Sequence, residues 1–245
     1  MNNELTRISG AELEKKWQDM NAALERLGQA EVKGRVRETR GAALLFGIDL
    51  TASRERSLKE ARIATAAMFD AVAAVGPVSV KLVWWRAGEV EAEPWRNDAG
   101  AVCRSLLSLS CKAGGTRIGE VLRMAESERG PVSAVVLVVD TCEEYDEGLA
   151  AIAARLGRKR IPVFVFHEGK GDLGFMERGT LEAIANASGG VYCPFDAGSG
   201  EALRELLSTV AAFSAAGCEG VKRVGLPVTV EGQELRARLL LPAGK

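Results

Sequence analysis

The chain is 245 residues long and sets 32 lysines and arginines against 33 aspartates and glutamates, a formal net charge of -1, so no broad electrostatic field recommends nucleic acid or an anionic lipid surface as a partner. Its single histidine excludes metal sites built on several imidazoles, and its five cysteines (Cys103, Cys111, Cys142, Cys193 and Cys218) never form a CxxC, which excludes a zinc ribbon or a disulfide framework. Hydrophobic residues make up 47% and aromatics 5%, material for an α/β core that buries roughly 70–75% of the unfolded surface, and not for an aromatic binding platform.

Reduced thiols belong to a reducing compartment. The segment from Met1 to Arg7 has no apolar signal core, and no apolar run approaches the ~18–20 residues of a membrane span, so a cytoplasmic location is expected. Ser9 and Glu12 form a capping box ahead of Leu13, Trp17, Met20, Leu24 and Leu27, whose spacing predicts an amphipathic helix that Gly28 ends. A charged linker follows, so residues 1–40 read as helix plus linker. From Gly41 apolar runs alternate with helical patterns, the signature of repeated βα units. Strands are predicted at Ala42 to Ile48, Val78 to Trp85, Glu89 to Trp95 (a returning antiparallel edge), Ala134 to Val139, Ile161 to Phe166 and Gly190 to Cys193. Helices are predicted at Arg56 to Val75, Ala99 to Leu109, Ile118 to Glu126, Tyr145 to Leu156, Leu181 to Ala187 and Glu201 to Ala215.

The expected fold class is therefore α/β: a three-layer, Rossmann-like open sheet over residues 41–216, mostly parallel with one antiparallel edge strand and helices on both faces. Residues 217–245 alternate apolar and polar positions around Glu231-Gly232-Gln233-Glu234, which predicts an appended β-hairpin.

Open parallel sheets bind ligands beyond the carboxyl ends of their strands. Three such positions here are rich in oxygen: Asp49, Thr51 and Ser53 after the first strand, Thr116 on the Gly114-Gly115 corner, and Asp140 after the central strand. Two carboxylates and three hydroxyls, with no thiolate or imidazole, make a hard donor set suited to Mg²⁺ or Mn²⁺. Only two of the five groups carry charge, so a bound cation stays under-neutralised and calls for an acidic group from outside.

In this order the residues resemble the von Willebrand factor type A (vWA) domain, whose metal-ion-dependent adhesion site is written DxSxS after the first strand, a Thr in a later loop and an Asp after the central strand. The run from Thr180 through Asn186 and Gly190 to Tyr192 also looks like the family's penultimate helix and last strand. The resemblance covers about Gly41 to Ala216. It implies that Thr51, Ser53 and Thr116 ligate a metal directly, that Asp49 and Asp140 act largely through water, and that a partner's Asp or Glu completes the shell. Two departures stand out: Thr51 replaces the usual Ser, and Thr141 follows Asp140 where many members have Gly.

Other chemistries use the same residues. A haloacid dehalogenase-type phosphotransferase would make Asp49 a nucleophile with Asp140 and Glu144 on Mg²⁺, but Thr51 stands where the acid-base Asp is needed. Gly169-Lys170-Gly171-Asp172-Leu173-Gly174 matches the dinucleotide fingerprint, with Asp196 beyond it, but Gly179 interrupts the helix that should follow. Gly114 and Gly119 have P-loop spacing, with Glu120 where Lys is obligatory. His167 at a strand end could approach Asp49 and Asp140 for proton transfer, but with no nucleophile elbow beside it reads first as solvated or simply hydrogen-bonded, and Cys142 reads as either a rim thiol or inert packing. One of Trp84 and Trp85 should be partly exposed near Trp95 at a sheet edge, and the basic run from Arg155 to Arg160 should offset the dipole of its helix. The expected function is a metal-dependent protein-binding or scaffolding module and not an enzyme. The alternative is a vWA fold with an inert site that binds partners through other surfaces, such as the first helix or the tryptophan edge.

Overall fold

The computed structural model describes residues 41–53, 64, 65, 68, 75–144, 148–169, 175–196 and 200–240. The first helix, most of the helix from Arg56 to Val75, and nearly all of the Gly169–Gly174 loop lie outside them. Runs of Ala, Val, Leu, Ile and Phe form β1 (Ala42–Asp49), β4 (Ala134–Val139) and β5 (Val163–Glu168), every residue of which is buried, as expected of strands covered on both faces. They are joined by β2 (Val78–Arg86), β3 (Glu89–Ala92) and β6 (Tyr192–Phe195) in the order β3-β2-β1-β4-β5-β6. All neighbours are parallel except β2 and β3. That pair turns through Ala87 and Gly88, both with positive φ, the backbone of a two-residue hairpin turn whose twist matches the strands.

Alternate side chains of the strands feed two cores. Leu44, Phe46, Ile48, Val136, Val138, Phe164 and Phe166 meet α1 (Ala99–Ser108) and α5 (Gly200–Arg223) on one face. Leu45, Val135, Leu137, Val139, Val163 and Val165 meet α2 (Ile118–Ser127), α3 (Leu149–Arg158) and α4 (Phe175–Ser188) on the other. The three-layer α/β/α architecture and its single antiparallel edge strand are those expected. Among the described residues no helix is long and apolar enough to cross a membrane.

Two expectations need correction, and a third is extended. The C-terminal hairpin is helical: α6 (Val230–Leu240) follows α5, which breaks at Ala216 and Gly217 and folds back on itself. Leu235, Ala237 and Leu239 alternate like a strand, but Leu235 and Leu239 are also one helical turn apart, so five residues could not discriminate the two periods. Tertiary contacts decide, because Leu235 is fully buried in the α5-side core and Arg238 donates to the Tyr192 carbonyl. Trp84 and Trp85 point to opposite faces but both are buried, at 6% and 0% exposure, since β3 and the Val80–Arg96 bridge cover the edge that β2 would otherwise present. The basic run also reaches beyond its own helix: Arg155 forks onto the Glu126 carboxylate at 2.6 and 2.9 Å, and Lys159 donates to the Glu126 carbonyl, tying α3 to α2.

Candidate metal centre

The strand order places β2 on one side of β1 and β4 on the other, so the chain leaves in opposite directions from the β1–β4 boundary. At such a switch point the connections diverge and open a crevice at the carboxyl edge. Asp49 ends β1 and Asp140 follows β4, while Ile48 pairs with Val138 across that boundary, so the two carboxylates flank the crevice on adjacent strands.

Each neighbouring loop is tied to the next. The Asp49 side chain accepts from the Thr51 amide at 2.7 Å, which turns the chain sharply after β1 and brings the Thr51 and Ser53 hydroxyls within 3.0 Å of each other. The Lys112 amide donates to the Leu50 carbonyl at 3.0 Å, drawing the glycine corner to this turn. Gly114 is pressed against the Ala87–Gly88 turn, where a Cβ would lie 2.6 Å from both amide nitrogens, so only glycine allows the approach. Arg117 donates to the Gly88 carbonyl at 2.9 Å and fixes the corner from its other side. Thr116 then accepts the Glu143 amide at 3.1 Å, which joins the corner to the loop after β4.

That loop, residues 140–144, is held at further points. Cys142 donates its amide to Glu177 of α4 at 2.6 Å, and Glu144 accepts from the amides of Ile118 and Gly119 at the start of α2, where a carboxylate satisfies otherwise unpartnered donors. His167 bonds the Asp140 carbonyl through Nε2 at 3.2 Å and the Tyr192 hydroxyl through Nδ1 at 2.8 Å. It is fully buried and hydrogen-bonded, not solvated, and burial pushes its pKa down, opposed in part by the bond to the Asp140 carbonyl. Cys142 is also fully buried, and its thiol is pushed up to about 11 by desolvation; it packs inside the rim.

All five predicted oxygen-bearing residues therefore sit at one edge, on three segments of which the middle one, the glycine corner, is bonded to the other two. Asp49, Thr51 and Thr116 are buried and Ser53 is exposed. Among the described residues no three His, Cys, Asp or Glu side chains converge as a metal cluster, so any cation here depends on hydroxyls. Two features of the donors fit one. Asp140 Oδ1 is buried and accepts no hydrogen bond among the described residues, leaving an acceptor to be satisfied. The Thr51–Ser53 oxygen spacing of 3.0 Å also matches the roughly 3.0 Å edge of an octahedron with ligands about 2.1 Å from Mg²⁺. Sequence reasoning missed Glu177 and His167 as supports of the loop, because their roles arise only when β5 and α4 are folded beside β4.

No protein-family model matches the chain, and no curated protein sequence does. Solved structures match its fold. BatB from Bacteroides thetaiotaomicron, a conserved hypothetical protein, superposes with a TM-score of 0.54 at 19% identity, over 70% of this chain and 99% of that one. Proximal thread matrix protein 1 of the mussel byssus, whose structure has a zinc-occupied MIDAS motif, gives 0.56 at 15% identity over 70% of this chain and 46% of its own. The VWA domain of SpRpn10 gives 0.52 at 14%, over 70% and 94%. The chain has the vWA fold.

Proposed function

We propose that the chain is a divalent-metal-dependent protein-binding or scaffolding module, in which Asp49, Thr51, Ser53, Thr116 and Asp140 hold Mg²⁺ or Mn²⁺ and an Asp or Glu of a partner protein completes the shell. The observation that carries this reading is that the glycine corner is hydrogen-bonded both to the turn after β1 and to the loop after β4 at the topological switch point. The occupied MIDAS motif of the mussel protein supports it by likeness of fold. A bound cation would supply a concentrated positive charge that neutral hydroxyls leave available to a carboxylate.

The residues divide the work. Asp49 fixes the turn that presents Thr51 and Ser53, and Thr116 keeps a lone pair available while accepting the Glu143 amide. Asp140 supplies the second charge. A phosphotransferase would need an acid-base group where Thr51 stands and Glu144 on the metal, whereas Glu144 is engaged at the start of α2. We take the protein to act in the cytoplasm, in keeping with its reduced thiols, and to have little general attraction for nucleic acid at a net charge of -1.

The test is a pull-down from source-cell lysate with the full chain, with and without chelator, alongside Asp49→Ala. A partner retained by the wild type and released by both treatments is the expected result. Retention indifferent to both would overturn the metal mechanism and turn attention to other surfaces, among which Leu226, Val228 and Val230 are exposed.

A further inference from the structure

We propose that His167 is the positioning residue for Asp140, holding the Asp140 peptide so that its carboxylate faces the crevice. The inference rests on the metal-site reading above and adds a residue that touches neither metal nor partner. Asp140 Oδ1 has no hydrogen bond of its own among the described residues, so its direction is set through the backbone that carries it. The His167 ring bonds the carbonyl of that residue and lies one register step behind it, since His167 pairs with Val139 across β4 and β5.

Chemistry fixes the orientation of the ring. A carbonyl only accepts, so the bond to Asp140 requires the proton on Nε2. In the neutral ring Nδ1 is then the acceptor, and the Tyr192 hydroxyl donates to it. Tyr192 stands edge-on to the imidazole with ring centres 5.8 Å apart, and Arg178 lies over the Tyr192 ring, so the donor is itself held. With His167 at 0% exposure, solvent offers little to replace a lost bond. The order Tyr192, His167, Asp140 links β6 through β5 to β4, as supporting hydrogen bonds orient ligands elsewhere.

The test uses the full chain and Mn²⁺ alone, with free Mn²⁺ counted by electron paramagnetic resonance. His167→Phe fills the ring's volume without a donor and should weaken Mn²⁺ binding 10–100-fold, the range found when such supports are removed. His167→Gln places an amide N–H near the former Nε2 and should restore most of the affinity. Thr116→Ala serves as the control that loses a ligand. Mn²⁺ binding by a folded His167→Phe equal to wild type, with Thr116→Ala impaired, overturns this inference alone. No Mn²⁺ binding by wild type overturns the metal-site reading and this inference with it. Should both His167 variants fail to fold, long-range ¹H–¹⁵N correlation on the wild type decides: a proton on Nε2 supports the arrangement, and a neutral ring protonated at Nδ1 overturns it.

Discussion

At the scale of single residues the site is a matter of which polar groups are already satisfied. Glu144 and Glu177 accept backbone amides, His167 is engaged at both nitrogens, and Thr116 accepts one amide while keeping acceptor capacity. Among the described residues, Asp140 Oδ1 alone in this loop is buried without such a bond. Titration of the buried thiols gives a separate prediction. Desolvation raises Cys142 from an ordinary 9.0 to about 11 and Cys193 to about 12, so the folded chain keeps protons that the unfolded chain releases above pH 9. Stability from these two groups is full below pH 9 and falls as pH rises through 11 and 12. Urea unfolding at pH 8 and pH 10.5 should show the loss, and Cys193→Ala should flatten it; an unchanged pH slope in that variant would contradict the assignment. For the same reason Cys142 should alkylate far more slowly than exposed Cys218 at pH 8.

At the scale of elements, strands and most helices follow from apolar runs and periodicity, but the C-terminal helices do not. Thr229 caps α6 by accepting the Gly232 amide at 3.1 Å, and Glu205 of α5 accepts the amides of Val228 and Thr229 at 2.7 and 3.0 Å. A chain that folds back on α5 at Gly217 brings Gly220 against the Ala212 carbonyl, where a Cβ has no room. Gly220→Ala should therefore destabilise the protein by about 1–3 kcal/mol through overpacking. Leu235→Ala removes a fully buried side chain from the α5-side core and should cost about 2–5 kcal/mol. Equilibrium denaturation checks both, and neither should change if residues 217–240 were an independent appendage.

At the scale of the whole molecule, the proposed metal binding would be linked to folding, because the three oxygen-bearing segments come together only in the folded sheet. Mn²⁺ at about 100 times its dissociation constant should stabilise the wild type by ~2.7 kcal/mol, visible as a raised melting temperature, and Thr116→Ala should lose that increment. A rise of equal size in the variant would place the ion elsewhere. The alternation of apolar runs with helical periods determined the α/β class, the central strands and the antiparallel return, because burial on both faces demands continuous apolar sequence. The same text marked Asp49, Thr51, Ser53 and Asp140 after buried strands and Thr116 on the glycine corner as candidates, because oxygen-bearing residues at these places stand out from the apolar runs beside them. The tertiary structure alone decided the rest. Whether Leu235 to Leu239 forms a strand or a helix depends on a partner surface supplied by α5, and whether Trp85 is covered depends on β3. Which side chains support Asp140 depends on His167 and Glu177 arriving from β5 and α4. Local sequence records a residue's own period and polarity; contacts between distant segments enter only when the sheet order brings their ends to one edge.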